Sequence, residues 1–270
     1  MESSEQTDRN VTYISSAMTQ GSNLRIARTT RQGDKSETTY LTDSQYNDFK
    51  PVISPDGTKI AFFRAYKQDD DFFLWESRIC VMDIDGSNLR ELTDNSFFNT
   101  EPYWTRDGSN RITWSRMIHD SKGERGTYVY WTACDACPGD ERQISAGGTE
   151  WSNSNLSDGR LFVKRGSEGY YLMTPNPGGE PTYDHITYPD AYHYLHKGSI
   201  SNDEKMIAYM KYKGPHKDIY RGAEIVYASL DTAVPAITNE IAFVPLDEEK
   251  FSWYVSISPD NKHLIYAEDG

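Results

Sequence analysis

Ser54-Pro55-Asp56-Gly57-Thr58-Lys59-Ile60-Ala61-Phe62 decides the fold, because the chain repeats it. Thr105-Arg106-Asp107-Gly108 leads to Ile112-Thr113-Trp114, and Ser157-Asp158-Gly159 leads to Leu161-Phe162-Val163. Ser201-Asn202-Asp203-Glu204 leads to Ile207-Ala208-Tyr209, and Ser258-Pro259-Asp260-Asn261 leads to Leu264-Ile265-Tyr266. The aligned aspartates at 56, 107, 158, 203 and 260 are 51, 51, 45 and 57 residues apart. A degenerate copy, Thr7-Asp8-Arg9-Asn10 before Val11-Thr12-Tyr13, stands 48 residues ahead of Asp56. A near-even period of this length marks stacked supersecondary units, each unable to bury its apolar face alone.

Within the clearest unit, four short strands can be read. Strand a covers residues 49–54, and Pro55-Asp56-Gly57 turns the chain tightly. Strand b covers residues 60–65 with an apolar run, and strand c covers 78–83. Asp85-Gly86-Ser87 then turns into strand d at 89–93, Asp-Gly being a dipeptide that reaches positive φ at little steric cost. No helical periodicity of useful length interrupts this pattern. Four strands per unit of this length predict an all-β chain, a β-propeller of four-stranded antiparallel blades with five to six blades visible. The blade units run over roughly 7–43, 47–94, 99–145, 150–187 and 192–240, with a partial unit at 251–270, and together form a single domain.

The Ser-Pro-Asp-Gly core with Ile60-Ala61-Phe62, then Val81-Met82-Asp83-Ile84-Asp85-Gly86 and Leu89-Arg90-Glu91-Leu92-Thr93, resembles the TolB-type, WD40-like propeller repeat. The first unit closes in a similar way, with Asn23-Leu24-Arg25-Ile26-Ala27-Arg28 and later Thr39-Tyr40-Leu41-Thr42-Asp43. The resemblance extends over essentially the whole chain. It implies a scaffold used by periplasmic proteins, by gating domains of prolyl-oligopeptidase-like enzymes and by some polysaccharide lyases. A fold of this breadth leaves function to the site.

The first unit supplies strands b, c and d, whereas the last supplies only a and b. Two closures are compatible with that count. Five blades close when the C-terminal a strand completes the N-terminal blade, leaving one b strand over. The favoured expectation is a six- or seven-bladed ring whose chain continues past Gly270, since a surplus apolar strand would leave an exposed edge.

The 270 residues carry 28 Lys plus Arg against 41 Asp plus Glu, a formal net charge of −13. That balance argues against a protein that tracks nucleic-acid phosphates, and against adsorption to anionic membranes. No apolar run is long enough to span a bilayer, and Met1-Glu2-Ser3-Ser4-Glu5-Gln6 is too polar for a signal-peptide core. The expected location is periplasmic or secreted, the export signal being absent from this sequence. Aromatic residues make up 13% of the chain, more than a core of modest apolar content requires, so some are available for recognition.

The Asp-Gly turns join strands a and b and are tight. The long connections join b to c at residues 66–77, 117–126 and 211–222, so they are expected on one face around the channel mouth. Asp69-Asp70-Asp71 with Trp75 forms the first, His119 and Arg125 flank the second, and His216, Tyr220 and Arg221 sit in the third. Rings flanked by cations suit a sugar or uronate, and equally suit a protein partner. The aspartate triplet offers oxygen ligands for a divalent cation, the alternative being a solvated charge run.

Strand a starts are expected to face the channel with Glu101, Tyr103, Trp151, Asn153, Tyr192, His193, Tyr194, His196 and Trp253. On one strand Tyr194 and His196 share a face and His193 takes the other. Tyr194 and His196, with a neutralising Arg221, are the candidate acid and base for β-elimination of a uronate. Two other readings of His196 stand beside this: a metal ligand with His119 or His216, and a histidine hydrogen-bonded between blades. Trp75, His119, Arg125, Trp151, His193, His216 and Tyr220 are the candidate ligand-binding residues.

Cys134 and Cys137 lie in Cys-Asp-Ala-Cys-Pro-Gly at a c–d turn. One such pair cannot supply four zinc ligands, and the strand-to-helix context of a redox motif is missing. A turn-stapling disulfide is the favoured expectation, two free thiols the alternative, and Cys80 in strand c reads as a buried thiol. Asn10-Val11-Thr12 and Asn155-Leu156-Ser157 match the glycosylation pattern only weakly. No nucleophile elbow, zinc-protease motif, phosphate-binding glycine loop or dinucleotide fingerprint is present. The favoured function is a non-catalytic propeller that binds a protein or glycan on its long-loop face; the alternatives are a polysaccharide lyase and part of a larger enzyme whose propeller only gates access.

Overall fold

A computed structural model describes residues 11–19, 21, 23–71, 74–94, 96–119, 125–132, 139–166, 168–188, 193–213, 223–244 and 252–268, with the side chains of 193–197, 213, 252–254 and 267–268 outside the description. Among the described residues, all elements of useful length are antiparallel strands. β1 (Val11–Met18), β2 (Leu24–Gln32) and β3 (Lys35–Tyr40) form a three-stranded sheet. Four sheets of four strands follow. The first is β4 (Asn47–Ile53), β5 (Lys59–Lys67), β6 (Glu76–Asp83) and β7 (Arg90–Glu91), and the second is β8 (Phe98–Trp104), β9 (Ile112–His119), β10 (Arg125–Thr132) and β11 (Glu141–Gln143). The third is β12 (Glu150–Asn155), β13 (Leu161–Arg165), β14 (Gly169–Thr174) and β15 (Thr182–His185). The fourth is β16 (His193–Ile200), β17 (Met206–Lys213), β18 (Ala223–Asp231) and β19 (Ala236–Val244). β20 (Ser252–Ile257) and β21 (Leu264–Glu268) pair as a two-stranded sheet. Each complete sheet is an a-b-c-d blade in chain order, and the fold is an all-β propeller. In the first full blade the expected fourth strand shrinks to Arg90–Glu91.

Two compact units divide the chain: Met1–Trp104, Asn110–Arg125 and Tyr130–Arg142 form one, and Thr105–Ser109, Gly126–Val129 and Gln143–Gly270 the other. In the first, Ile26 of β2 packs with Ile60, Phe62, Cys80 and Met82 of the next blade. In the second, Leu156, Phe162 and Tyr170 pack with Ile200, Ile207, Tyr209 and Val226. Blades thus bury their apolar strands against one another, as packed sheets do.

The a–b turns are built from their own side chains. Ser54 Oγ donates to Asp56 Oδ1 at 2.6 Å, Thr58 N–H donates to the same oxygen at 3.0 Å, and Lys59 N–H donates to Ser54 Oγ at 2.9 Å. Ser201 with Asp203, and Ser258 with Asp260, repeat the first bond at 2.6 Å. These bonds favour the ionised carboxylate, so Asp56 is held down at about 2, chiefly by the Ser54 hydroxyl, and Asp203 and Asp260 are lowered by the equivalent serines. The residue after each aspartate has positive φ: 75° at Gly57, 79° at Gly108, 88° at Gly159, 59° at Glu204 and 58° at Asn261. At the two non-glycine positions the side chain reaches the preceding turn. Ser157 N–H donates to Glu204 Oε1 at 2.5 Å, and Asn202 N–H donates to Asn261 Oδ1 at 3.0 Å. Arg106 further donates to the carbonyls of Ser201 and Ile200 at 2.9 and 3.2 Å.

Every a strand breaks register against its b strand at the same place: between Phe49 and Val52, Thr100 and Tyr103, Ser152 and Ser154, His196 and Ser199, and Trp253 and Ser256. These bulges explain how Pro51 and Pro102 sit inside strands, since a bulge needs no ladder donor there. Lys50 and Glu101, the residues before the prolines, adopt φ of 51° and 57°.

Candidate functional site

The b–c ends of the blades differ from the turn ends. After β5, Asp71 N–H donates to Asp69 Oδ1 at 3.2 Å and Leu74 N–H donates to the Asp71 carbonyl at 2.9 Å, a local fold that sets Trp75. The Trp75 indole N–H donates to the Asp69 carbonyl at 2.5 Å. Its ring lies 5.0 Å from Phe98 and 6.3 Å from Phe49, and Phe49 stacks on Phe63 at 5.0 Å. Trp75 is therefore half-buried as an anchor of its own loop. What the loop shows outward is charge: Arg125 Nη2 meets Asp71 Oδ2 at 2.7 Å, with the arginine side chain 49% exposed. His119, at the end of β9, is exposed, and Lys67 faces Glu76 at 3.8 Å with both side chains open to solvent.

Below this rim the strand ends carry a repeated cross-strand pair. Asp48 accepts both arms of Arg64 at 2.6 and 3.0 Å, with the aspartate wholly buried. Burial opposes the Arg64 charge and Asp48 more than restores it, so the guanidinium is held above its ordinary pKa. The register places Asn99 opposite Arg116, Glu150 opposite Arg165 and Leu195 opposite Lys211 in the following blades. Arg116 Nε donates to Asn99 at 2.7 Å and also pairs with Glu141, while Lys211 takes Glu240 at 2.6 Å. The fourth strand thus supplies the carboxylate where the first does not.

Deeper on the a strands, Lys50 pairs with Glu101 and donates to the Tyr103 hydroxyl at 2.8 Å, with side chains 12% and 3% exposed for the ion pair. The sequence singles out Glu101 and Tyr103 as channel-facing and does not single out Lys50, which joins them here. The signal was available, since Lys50-Pro51 and Glu101-Pro102 hold the same place in successive repeats.

Trp151 is half-buried on β12, and its carbonyl accepts from Asn153 Nδ2 at 3.1 Å. On β16 the backbone places Tyr194 opposite Tyr212 and His196 opposite Met210, with His193 opposite Lys213. Tyr212 and Met210 belong to a small buried cluster with Ala223. The side chains of His193, Tyr194 and His196 lie outside the described residues, as do His216, Tyr220, Arg221, Cys134 and Cys137. Cys80 is a buried free thiol whose pKa burial pushes up. Among the described residues, no three His, Cys, Asp or Glu side chains gather in a way that could hold a metal ion. Burial also pushes up the phenols of Tyr66, Tyr170, Tyr183, Tyr188 and Tyr209. Among the described residues, no helix is long and apolar enough to cross a membrane.

No protein-family model matches the chain, and no curated protein matches it. Solved structures do. TolB from Acinetobacter baumannii superposes with a TM-score of 0.61 at 12% identity, over 96% of this chain and 63% of that one. A protein assigned as TolB from Agrobacterium tumefaciens gives 0.62 at 13% identity, over 96% and 90%. An oligogalacturonate lyase from Vibrio parahaemolyticus gives 0.55 at 10% identity, over 96% and 72%. The architecture is thus that of the β-propellers. Within them, the chain has the TolB-type fold, and identities this low speak for fold alone. The chain spans 63% of the length of the Acinetobacter TolB.

Proposed function

We propose that the chain is a TolB-like binding module that recognises a protein or glycan through the b–c ends of its blades, without catalysis. The observation that carries this is the contrast between strand ends. The a–b turns spend polar groups on bonds within the turn and to neighbouring turns. At the b–c ends, by contrast, Trp75 is tied to the Asp69 carbonyl, Arg125 and Asp71 form a partly exposed ion pair, and His119 is exposed. Charged groups already paired and held in place suit polar recognition at a reduced ordering cost. His216, Tyr220, Arg221 and Trp151 extend the proposed surface. Its location would be periplasmic or secreted, which fractionation of the native cells tests.

The test is binding to a panel of candidate proteins and glycans, measured with wild type and with Arg125→Glu and Arg221→Glu. Capture by wild type that each reversal weakens supports the module; capture indifferent to both removes it. The fold likeness to an oligogalacturonate lyase favours a second reading, β-elimination on uronate chains by His196, Tyr194 and Arg221. Unsaturated product absorbing in the ultraviolet, lost in His196→Ala, would establish that reading. No product from pectic, alginate or ulvan-type polymers would eliminate it.

A further inference from the structure

Counted from the b-strand starts at Ile60, Ile112, Leu161 and Ile207, Arg64, Arg116, Arg165 and Lys211 hold the same place in four blades. Three of these cations have an acceptor close by. Asp48 takes both arms of Arg64, Arg116 donates to Asn99 and Glu141, and Lys211 donates to Glu240 at 2.6 Å. Arg165 differs. Its partner Glu150 stands 3.4 Å from Nε, out of line for a hydrogen bond, and that buried Nε donates to no described residue. The Glu150 oxygens accept instead from the Gly147 N–H at 3.1 Å and the Thr149 N–H at 3.3 Å. No described residue accepts a hydrogen bond from the terminal nitrogens of Arg165 either. The side chain is nevertheless fixed, because its guanidinium lies 4.4 Å from the centre of the Tyr183 ring and 5.3 Å from that of Tyr171. With 29% of the side chain exposed, the fork is both held and reachable.

The fourth strand accounts for the difference. In the other blades it carries Glu91, Glu141 or Glu240. Glu91 lies in line with Cys80 and Phe62 across its blade, and the matching line in this one runs Val163, Tyr171, His185. His185 thus stands where Glu91 does, and Asp184, the one acid on β15, belongs to the opposite face of the sheet. Arg165 is two residues beyond Val163, so it shares a face with Tyr171 and His185. Gly169 lies opposite Arg165, where Arg78 lies opposite Arg64, so β14 sets no second cation beside the fork. His185 is exposed and T-shaped against Tyr171 at 4.9 Å, and the Tyr188 ring lies 6.1 Å from it.

We infer that Arg165 and His185 receive a carboxylate from outside the chain, a single Glu or Asp side chain of a protein partner, which pairs with the two terminal nitrogens of Arg165. The inference rests on the binding-module reading and names the group that this blade's b–c end recognises. An open face favours a polypeptide over a free acid. Three of the four residues of β15 are exposed, so a small acid would bury little of its surface there. Tyrosine and arginine are also the side chains on which protein contacts concentrate. Local charge limits the partner to one acid, since Glu150 adjoins Arg165, Glu168 accepts from the Tyr171 hydroxyl at 3.1 Å, and the chain carries −13.

The probes are short capped peptides with one central Glu, flanked by Leu, Phe, Tyr and Val in every combination to meet the Tyr171 and Tyr188 rings, each paired with its Gln counterpart. An array finds binders to the full chain, fluorescence anisotropy titrates the best, and nuclear magnetic resonance follows the Arg165 Nε–H signal. Saturable binding of Glu peptides but not of Gln peptides, with movement of that signal, is the expected result. Arg165→Lys should weaken binding about tenfold or more, because a point charge cannot replace a two-pronged contact. His185→Ala, at an exposed position, should weaken binding while the thermal midpoint stays nearly unchanged, and Glu168→Gln should strengthen it. Three results overturn the inference: no Glu-dependent binding, equal binding to Arg165→Lys, or displacement of the peptide by sodium acetate or a uronate oligomer at equal concentration. Displacement would assign the site to a free acid or an acidic glycan. Capture in the protein panel that depends on Arg125 and Arg221 but not on Arg165 removes this inference alone; capture indifferent to all three removes the module too.

Discussion

Replacing Asp48 with Ala is the sharpest single test of how the strand ends are held. The carboxylate is 0% exposed and grips Arg64 through two hydrogen bonds of 2.6 and 3.0 Å. Its loss leaves a guanidinium that is itself 8% exposed without its partner. Breaking a buried pair in this one-sided way costs about 3–5 kcal/mol, because the remaining charge stays desolvated. For a chain of this size each kcal/mol moves the melting midpoint by about 2–4 °C, so a fall of about 6–20 °C is expected. Glu91 cannot take over as Glu141 does for Arg116, because Arg78 and Tyr66 already occupy it. Asp48→Asn should lose less, since Asn99 holds Arg116 at the equivalent place. The double variant Asp48→Leu with Arg64→Met should recover most of the loss, because removing both charges removes the desolvation. Urea and thermal unfolding followed by tryptophan fluorescence measure all three. If Asp48→Ala stays within about 1 kcal/mol of wild type, or the double variant falls further still, the pair is not desolvated and the reasoning fails.

Gly198 lies at the bulge of β16, and a Cβ there would come within 2.7 Å of the Phe162 ring. Gly198→Ala should therefore cost about 1–3 kcal/mol by overpacking, and Phe162→Leu in the same chain should relieve part of it, read by urea midpoints. The turn aspartates predict an acid limb. Their folded pKa values are depressed, so their contribution is complete above the ordinary value of 3.8 and disappears as pH falls toward about 2 at Asp56. Circular dichroism against pH should show that limb, and Asp56→Asn should make it shallower; an unchanged limb would refute the role of the Ser54 hydroxyl. Arg125→Glu should leave thermal stability within about 1 kcal/mol, because its ion pair is solvent-exposed. A larger thermal shift would show that Arg125 holds the loop together rather than presenting charge.

The strands and turns were legible because local chemistry sets them. Asp-Gly turns and apolar runs recur in register, and β4, β5 and β6 lie within two residues of the spans read from the sequence. The bulges were not legible, since a register break arises from packing between blades and leaves no period-two signature. Trp75 illustrates the same limit. Its neighbours Asp69, Asp70 and Asp71 made the loop look outward, yet Phe49 and Phe98, 26 and 23 residues away, draw the ring in. Lys50 was overlooked because its partner Glu101 lies one blade further on. The pattern Lys-Pro and Glu-Pro at matching repeat positions carried the information, and only alignment of the repeats could extract it.

The two turns that departed from Asp-Gly change how this scaffold should be engineered. Averaging the repeats would write glycine at 204 and 261, relaxing two strained backbones at a stroke. It would also cut the sutures by which Glu204 and Asn261 each hold the turn before their own, since glycine has no side chain to span the gap. The divergence of these copies is thus a form of addressing: each irregular turn recognises the neighbour it belongs beside. A perfectly regular version would gain local ideality and lose the marks that keep its repeats in order.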